Sequence, residues 1–102
     1  MSVYALFQRL TVTDAAGLAE YLSKSRPLIE SMGGTYLVRG GDWTTLEGTH
    51  RPPPALFKFA ALNAALHWYN SKECRPLRDL RHHSATYDAA LLTGVEPSGP
   101  HA

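Results

Sequence analysis

Arg39 and Glu47 are the most chemically suggestive pair in the sequence, because they flank a glycine-rich turn. Arg39 directly precedes Gly40-Gly41, and Glu47 follows the turn. A planar guanidinium holds a carboxylate through two parallel hydrogen bonds, so Arg39 is a candidate clamp for an anionic ligand. The commoner arrangement for such residues is a cross-strand ion pair between Arg39 and Glu47 that steadies a hairpin. Both interpretations fit the sequence.

Tyr36, Trp68 and Tyr69 could line a flat apolar cleft between a helix and a sheet. Such a cleft suits an aromatic or acyl ligand, and the phenols could orient it. Aromatic residues at helical spacing are more often part of the core. The candidate ligand-binding residues are therefore Arg39, Tyr36, Glu47, Trp68 and Tyr69, with core packing as the alternative role of the aromatic ones.

His50, Lys58 and Cys74 are weaker candidates for a catalytic role. Lys58, between two phenylalanines, could serve as a base or an amine nucleophile in a closed cleft, or extend to solvent and pair with an acid such as Asp88. Cys74 lies near a helix start among charged neighbours, where a thiolate is favoured, although an inert buried cysteine is commoner. His50 could transfer protons at a cleft mouth, although loop histidines are usually solvated.

The histidines and glycines do not form a recognisable metal or nucleotide motif. No His-x-x-x-His pair occurs, and the adjacent His82 and His83 point in different directions on a helix or a strand. The glycines lack the Gly-x-Gly-x-x-Gly pattern and the lysine of a phosphate loop. We therefore expect no metal and no cofactor, with haem binding through His50 or His67 as a minor alternative.

Composition and charge narrow the possible partners. The chain has 102 residues, 44% of them hydrophobic, and its formal net charge is +1. A near-neutral chain with no basic run argues against nucleic acid or a membrane surface as a partner. Cys74 is the single cysteine, and the N-terminus lacks the features of a signal peptide. We expect a cytoplasmic protein that binds a small molecule.

Hydrophobic periodicity divides the chain into alternating strands and helices. The predicted strands cover residues 3–12, 35–39, 43–47, 55–60 and 86–93. The predicted helices cover residues 14–32, 63–69 and 72–82. Residues 43–47 are expected to return from the turn at Gly40-Gly41-Asp42 and to pair with the preceding strand as a hairpin. Residues 1–95 are thus predicted to form one domain, and residues 96–102 a flexible tail.

The element order predicts an α+β fold of the ferredoxin-like type, βαβ(β)βαβ with an antiparallel sheet. Both faces of this sheet are apolar: in the first strand Val3, Ala5 and Phe7 point one way, while Tyr4 and Leu6 point the other. Two helices cover only one face of a four-stranded sheet, and an uncovered apolar face in a soluble protein is a partner site. We therefore expect a homodimer packed sheet to sheet.

The chain contains four short motifs in this order: Tyr36-Leu37-x-Arg39-Gly40-Gly41, Leu46-Glu47-Gly48, Trp68-Tyr69-x-Ser71-x-Glu73, and Pro76-Leu77-Arg78 followed by Arg81. Together they resemble the domain of unknown function family DUF1330, over residues 3–95. The resemblance implies a dimeric α/β barrel, in a superfamily that includes cofactor-independent monooxygenases, lactone isomerases and haem-handling proteins. Lys58 stands where the family usually has an acid, and Cys74 where it usually has a tyrosine.

The sequence thus predicts a homodimeric protein that binds a small aromatic or carboxylate-bearing metabolite in a cleft between sheet and helices. Arg39 would hold the anion, while Tyr36, Trp68 and Tyr69 would form the walls. Analogy with the superfamily suggests cofactor-independent oxygenation or isomerisation if the protein is an enzyme. The alternative is a non-catalytic protein that dimerises or sequesters a ligand.

Overall fold

The computed structural model describes residues 1–95 as a four-stranded antiparallel sheet with three helices packed on one face. The strands are β1 (Val3–Val12), β2 (Thr35–Arg39), β3 (Ala55–Phe59) and β4 (Ala85–Thr93). The helices are α1 (Ala15–Ser31), α2 (Leu62–Tyr69) and α3 (Cys74–Ser84). The sheet order is β2-β3-β1-β4, which confirms the ferredoxin-like α+β prediction. The predicted tail, residues 96–102, lies outside the described residues.

The helices begin and end close to the residues that the sequence indicates. At the start of α1 the Asp14 carboxylate accepts a hydrogen bond of 3.0 Å from the Gly17 backbone N–H, the capping role expected of an aspartate. Gly33 follows the helix with a φ of 98°, a conformation that glycine adopts without strain. Ser71 accepts from the Cys74 N–H, so it caps α3, which starts two residues later than predicted. Within residues 1–95, no helix is long and apolar enough to cross a membrane.

The predicted strand at residues 43–47 is wrong. Residues 41–54 contain no strand, and β2 pairs instead with β3, where Tyr36 lies opposite Phe57. This pairing brings the two aromatic rings to a centroid distance of 5.3 Å and buries Phe57, whereas Leu46 in the loop stays 90% exposed. Pairing of β2 with the more apolar β3 is therefore favoured over pairing with the nearer residues 43–47. Burial of large side chains stabilises the fold by more than the shorter loop to residues 43–47 would save in loop-closure entropy.

Trp68 is the centre of the core between α2 and the sheet. Its indole is 2% exposed, and its ring centroids lie 6.0 Å from Phe7, 5.4 Å from Phe57 and 5.6 Å from Phe59. The three phenylalanines point to this side because alternate residues of a strand share a face. Phe7, Phe57 and Phe59 therefore define the covered face of the sheet.

The opposite face of the sheet is not covered by the described residues. One row of apolar side chains crosses all four strands there, since β-sheet register aligns Val38, Leu56, Leu6 and Ala90. The next row consists of Thr35, Lys58, Tyr4 and Leu92. We call these two rows the open sheet face. Val38 and Leu92 are 40% and 47% exposed, respectively, as the alternation of both faces predicted.

Candidate functional site

A cleft lined by three arginines lies where α1 meets the sheet and the proline segment before β3. We call it the arginine cleft. It encloses about 120 Å³, and its walls are formed by Arg9, Arg26, Arg39, Tyr36, Tyr87, Phe7, Leu22, Gly40, Pro53, Pro54 and Ala55. This volume is well below that of a site for a drug-sized ligand and has room for a single small ring.

Each arginine reaches the cleft from a different element. Arg9 lies in β1 on the same face as Phe7 and pairs in register with Tyr87 of β4. Arg26 lies one turn beyond Leu22 on α1, so both point to the same side of the helix. Arg39 is the last residue of β2. β1, α1 and β2 therefore each contribute one arginine side chain to the arginine cleft.

The arginine cleft carries a local excess of positive charge. None of its eleven lining residues is acidic. The Arg39 guanidinium pairs with Glu30, with Nη1 and Oε1 3.8 Å apart and both side chains about half-exposed, and in residues 1–95 neither Arg9 nor Arg26 has an acid within 4.0 Å. The predicted pair of Arg39 with Glu47 is not formed: the acid within 4.0 Å of Arg39 is Glu30, and Glu47 is exposed in the loop. Such a charge excess attracts small anions.

Tyr36 and Tyr87 supply neutral hydrogen-bond donors to this cationic site. Burial raises the pKa of Tyr36 to about 12, and the neighbouring Arg26 and Arg39 oppose this shift only in part. Burial also raises the pKa of Tyr87. The Arg39 guanidinium lies over the Tyr36 ring, with Cζ 5.2 Å from the centroid. Both phenols therefore keep their protons near neutral pH, and they can donate a hydrogen bond but cannot serve as bases.

Trp68 and Tyr69 lie in a different place from Arg39 and Tyr36. They line a second, apolar cavity of about 240 Å³ between α2 and β4, together with Leu66 and Leu91. Trp68 also fills the core, which is the alternative role considered for the aromatic residues. The five predicted ligand-binding residues thus divide: Arg39 and Tyr36 meet in the arginine cleft, Trp68 and Tyr69 meet elsewhere, and Glu47 stays in the loop.

The three weaker catalytic candidates do not come together. His50 lies in the exposed loop, with Nδ1 3.1 Å from the Thr45 hydroxyl. Lys58 lies on the open sheet face, away from both cavities. Cys74 is buried, and that burial raises the pKa of its thiol despite the nearby Arg78 and Arg81. A reactive thiolate at this position is therefore not favoured.

Arg9, Arg26 and Tyr87 line the cleft but were not singled out from the sequence. A signal for Arg9 was present, because it continues the alternation of Val3, Ala5 and Phe7 and so belongs to the covered face. A cation on a buried face needs an explanation such as a partner or a site. Arg26 gave no comparable signal, since arginines at the margin of an apolar helix stripe are common.

Metal-ligating side chains are scattered in the described part of the chain. Among residues 1–95 no group of three or more histidine, cysteine, aspartate or glutamate side chains could hold a metal ion. The chemistry available in the arginine cleft is therefore that of guanidinium groups, phenols and aromatic walls.

Fold and cleft together define a ferredoxin-like α+β protein with a cationic site between its sheet and helices. Residues 2–95 match the family model of a domain of unknown function, DUF1330, and the chain belongs to that family. A comparison with curated protein sequences finds no match.

Solved structures with the same fold include the following three. RPA0582 of Rhodopseudomonas palustris, a protein of unknown function, is 16% identical, with 94% of this chain and 84% of that chain covered and a TM-score of 0.76. SnoaB of Streptomyces nogalater, a cofactor-independent oxygenase, is 13% identical, with 98% and 99% covered and a TM-score of 0.63. A dimeric protein of unknown function from Bacteroides fragilis is 10% identical, with 89% and 94% covered and a TM-score of 0.53.

The raised pKa of Tyr36 predicts how stability depends on pH. Folding raises this pKa from 10.0 to about 12, so the folded protein keeps a proton that the unfolded chain releases. This contribution to stability is complete below pH 10 and is lost as the pH rises towards 12. We expect Tyr36→Phe to make the free energy of unfolding fall less steeply over this range, as measured by urea unfolding at fixed pH values. The same steepness in both proteins would contradict the burial of this phenol.

Proposed function

We propose that the protein binds a small aromatic carboxylate in the arginine cleft. The observation that carries this proposal is the convergence of Arg9, Arg26 and Arg39 on a site with no acidic lining residue. Guanidinium groups bind carboxylates through paired, charge-assisted hydrogen bonds, which favours a carboxylate over a neutral ligand. The enclosed volume of about 120 Å³ limits the ligand to a single small ring.

The walls of the cleft support an aromatic rather than a purely polar ligand. Phe7, Pro53 and Pro54 contribute apolar surface, and the Tyr36 and Tyr87 rings contribute aromatic faces. Aromatic rings pack favourably in offset or edge-to-face arrangements against such walls. The neutral Tyr36 hydroxyl would then donate to an oxygen atom of the ligand. A benzoate-like molecule satisfies the guanidinium groups and the rings together.

Binding should depend on the cleft arginines and on the ligand's negative charge. We expect Arg26→Gln and Arg39→Gln each to weaken benzoate binding by about tenfold, because each loses a charge-assisted hydrogen bond of typical strength. Calorimetric titration with benzoate and with benzamide, its neutral analogue, measures this. Arg75→Gln is the matched control, since Arg75 is exposed on α3 and does not line the cleft. Equal affinity of the native protein for benzoate and benzamide would refute the proposed function.

Cofactor-independent oxygenation is a second candidate. Its support is the fold that the chain shares with SnoaB, together with a cationic cleft that would stabilise the phenolate of a bound phenol. No base lines the cleft, so the phenol itself would have to lose its proton to solvent in the field of the arginines.

Oxygen consumption tests this second candidate. With 2,5-dihydroxybenzoate as substrate, an oxygenase should consume oxygen at a rate proportional to protein concentration, and Arg39→Gln should slow it about tenfold by removing one cation from the cleft. An oxygen electrode measures the rate, and Arg75→Gln again serves as the control. Oxygen uptake no faster than in buffer would exclude oxygenation of this substrate and leave ligand binding as the function.

We propose that the open sheet face is the interface of a homodimer. An apolar row crosses all four strands and includes the exposed Val38, and leaving such a surface in contact with water is unfavourable. The same face of a second copy offers a complementary apolar surface that would bury it. The structural neighbour from Bacteroides fragilis is described as dimeric, which supports the proposal.

Replacing Leu56 should separate the two copies. Leu56 lies in the middle of the apolar row, so we expect Leu56→Arg to convert a micromolar dimer into a monomer by placing an unpaired charge in an apolar interface. Sedimentation velocity measures the oligomeric state. The control is Leu62→Arg, because Leu62 is 49% exposed on α2. A monomeric native protein at micromolar concentration would contradict the proposed interface.

We further propose a cytoplasmic location without a nucleic-acid partner. The single cysteine of the sequence, Cys74, is buried as a free thiol, which suits a reducing compartment. Ten basic residues are nearly balanced by nine acidic ones, whereas nucleic-acid binding relies on an excess of clustered basic groups.

A further inference from the structure

Arg81 of α3 is a buried cation without a counter-charge. The side chain is 3% exposed, and its Nε and Nη1 atoms have no hydrogen-bond partner. Its remaining nitrogen, Nη2, lies 3.3 Å from Nε2 of His82. Within residues 1–95, no acid lies within 4.0 Å of this guanidinium. A buried charge in this condition costs free energy, so its presence needs an explanation.

Aromatic rings surround the Arg81 guanidinium. Its Cζ atom lies 4.9 Å from the ring centroid of Phe7, 5.4 Å from that of Tyr87 and 5.9 Å from that of Tyr21. Cation–π attraction to these faces offsets part of the cost of burial. This attraction leaves the positive charge of Arg81 uncompensated, because an aromatic ring has a quadrupole but no net charge.

The position of Arg81 connects it to the arginine cleft. Phe7 and Tyr87, two of the rings that touch its guanidinium, also line that cleft. Arg81 therefore lies one layer of aromatic rings behind the wall and adds a fourth positive charge to those of Arg9, Arg26 and Arg39. The material between this charge and the cleft is protein rather than water, so its field is screened little by salt.

We propose that Arg81 is an affinity determinant of the arginine cleft, whose buried charge is compensated by the carboxylate of the bound ligand. This inference rests on the proposed function and deepens it, because it assigns a role to a residue that the ligand does not touch. Arg81 is a positioning residue in this scheme: it acts through the Phe7 and Tyr87 rings and favours an anion over a neutral molecule. The free protein holds a destabilising charge that ligand binding relieves.

Two variants of Arg81 separate its charge from its packing. Arg81→Met keeps an unbranched apolar side chain against the rings but removes the charge, and Arg81→Lys keeps the charge. We expect Arg81→Met to lower benzoate affinity by about tenfold, the effect of one charge across on the order of 10 Å at an effective dielectric of about 20. Benzamide affinity should stay within about twofold, because benzamide carries no charge, and Arg81→Lys should retain most of the benzoate affinity.

Stability and salt provide readouts that a purely structural role would not produce. Without ligand, Arg81→Met should unfold at the same temperature as the native protein or a higher one, because a buried charge is gone. The affinity ratio between native protein and Arg81→Met should also be the same at 50 mM and 500 mM NaCl, since a buried charge is little screened. Arg78→Met is the matched control: Arg78 lies on the same helix over the Tyr69 ring, at the other cavity.

The outcomes distinguish this inference from the proposed function. If the native protein prefers benzoate and Arg81→Met binds it equally well, Arg81 has no role in affinity, and the inference fails while the proposed function stands. If the native protein does not prefer benzoate to benzamide, both fail. Should Arg81→Met not fold, nitrogen NMR of the native protein decides: the Arg81 Nε–H resonance should shift with benzoate and not with benzamide, and an unchanged resonance overturns the inference.

Discussion

The packing of Trp68 against three phenylalanines determines how the rest of the molecule is arranged. Because the indole contacts Phe7, Phe57 and Phe59, it fixes α2 on the sheet and decides which face of β1 and β3 is covered. Strand alternation then places Leu6 and Leu56 on the opposite face, where no element of residues 1–95 covers them. One aromatic cluster thus accounts for the part of the core beneath α2 and for the open sheet face.

The same alternation explains why the arginine cleft exists. Arg9 follows Phe7 on the covered face, beyond the aromatic cluster, so its charge must remain where the core ends. Arg26 and Arg39 meet it there from α1 and β2, and Arg81 lies behind the rings that form the wall. Cations are usually excluded from such surroundings. Four of them in one region, with Glu30 as the acid paired at the margin, are consistent with a site that an anion completes.

Much of the fold followed from local patterns, and the errors have one origin. The helical stripe of α1 and its Asp14 cap, and the alternation of β1, are properties of neighbouring residues and were predicted closely. The hairpin prediction failed because the partner of β2 depends on burial of Phe57 and Phe59, which lie far along the chain. Strand alternation by itself places Tyr36 and Arg39, three residues apart, on opposite faces of the sheet. The register shift between Tyr36 and Val38 brings them to the same side, opposite Phe57 and Ala55, and nothing in the sequence indicated it. The separation of Trp68 from both residues was equally unpredictable, because it depends on how α2 packs on the sheet.

The sequence by itself determined the element order, the apolar character of both sheet faces and membership in a ferredoxin-like class, since these depend on residue type and spacing along the chain. Only the tertiary structure decided that Arg9, Arg26 and Arg39 share a cleft and that Arg81 lies uncompensated behind it. The physical reason is that electrostatic interactions act through space between residues distant in sequence. Their strength depends on burial and on neighbouring charges, which exist only once the chain has folded.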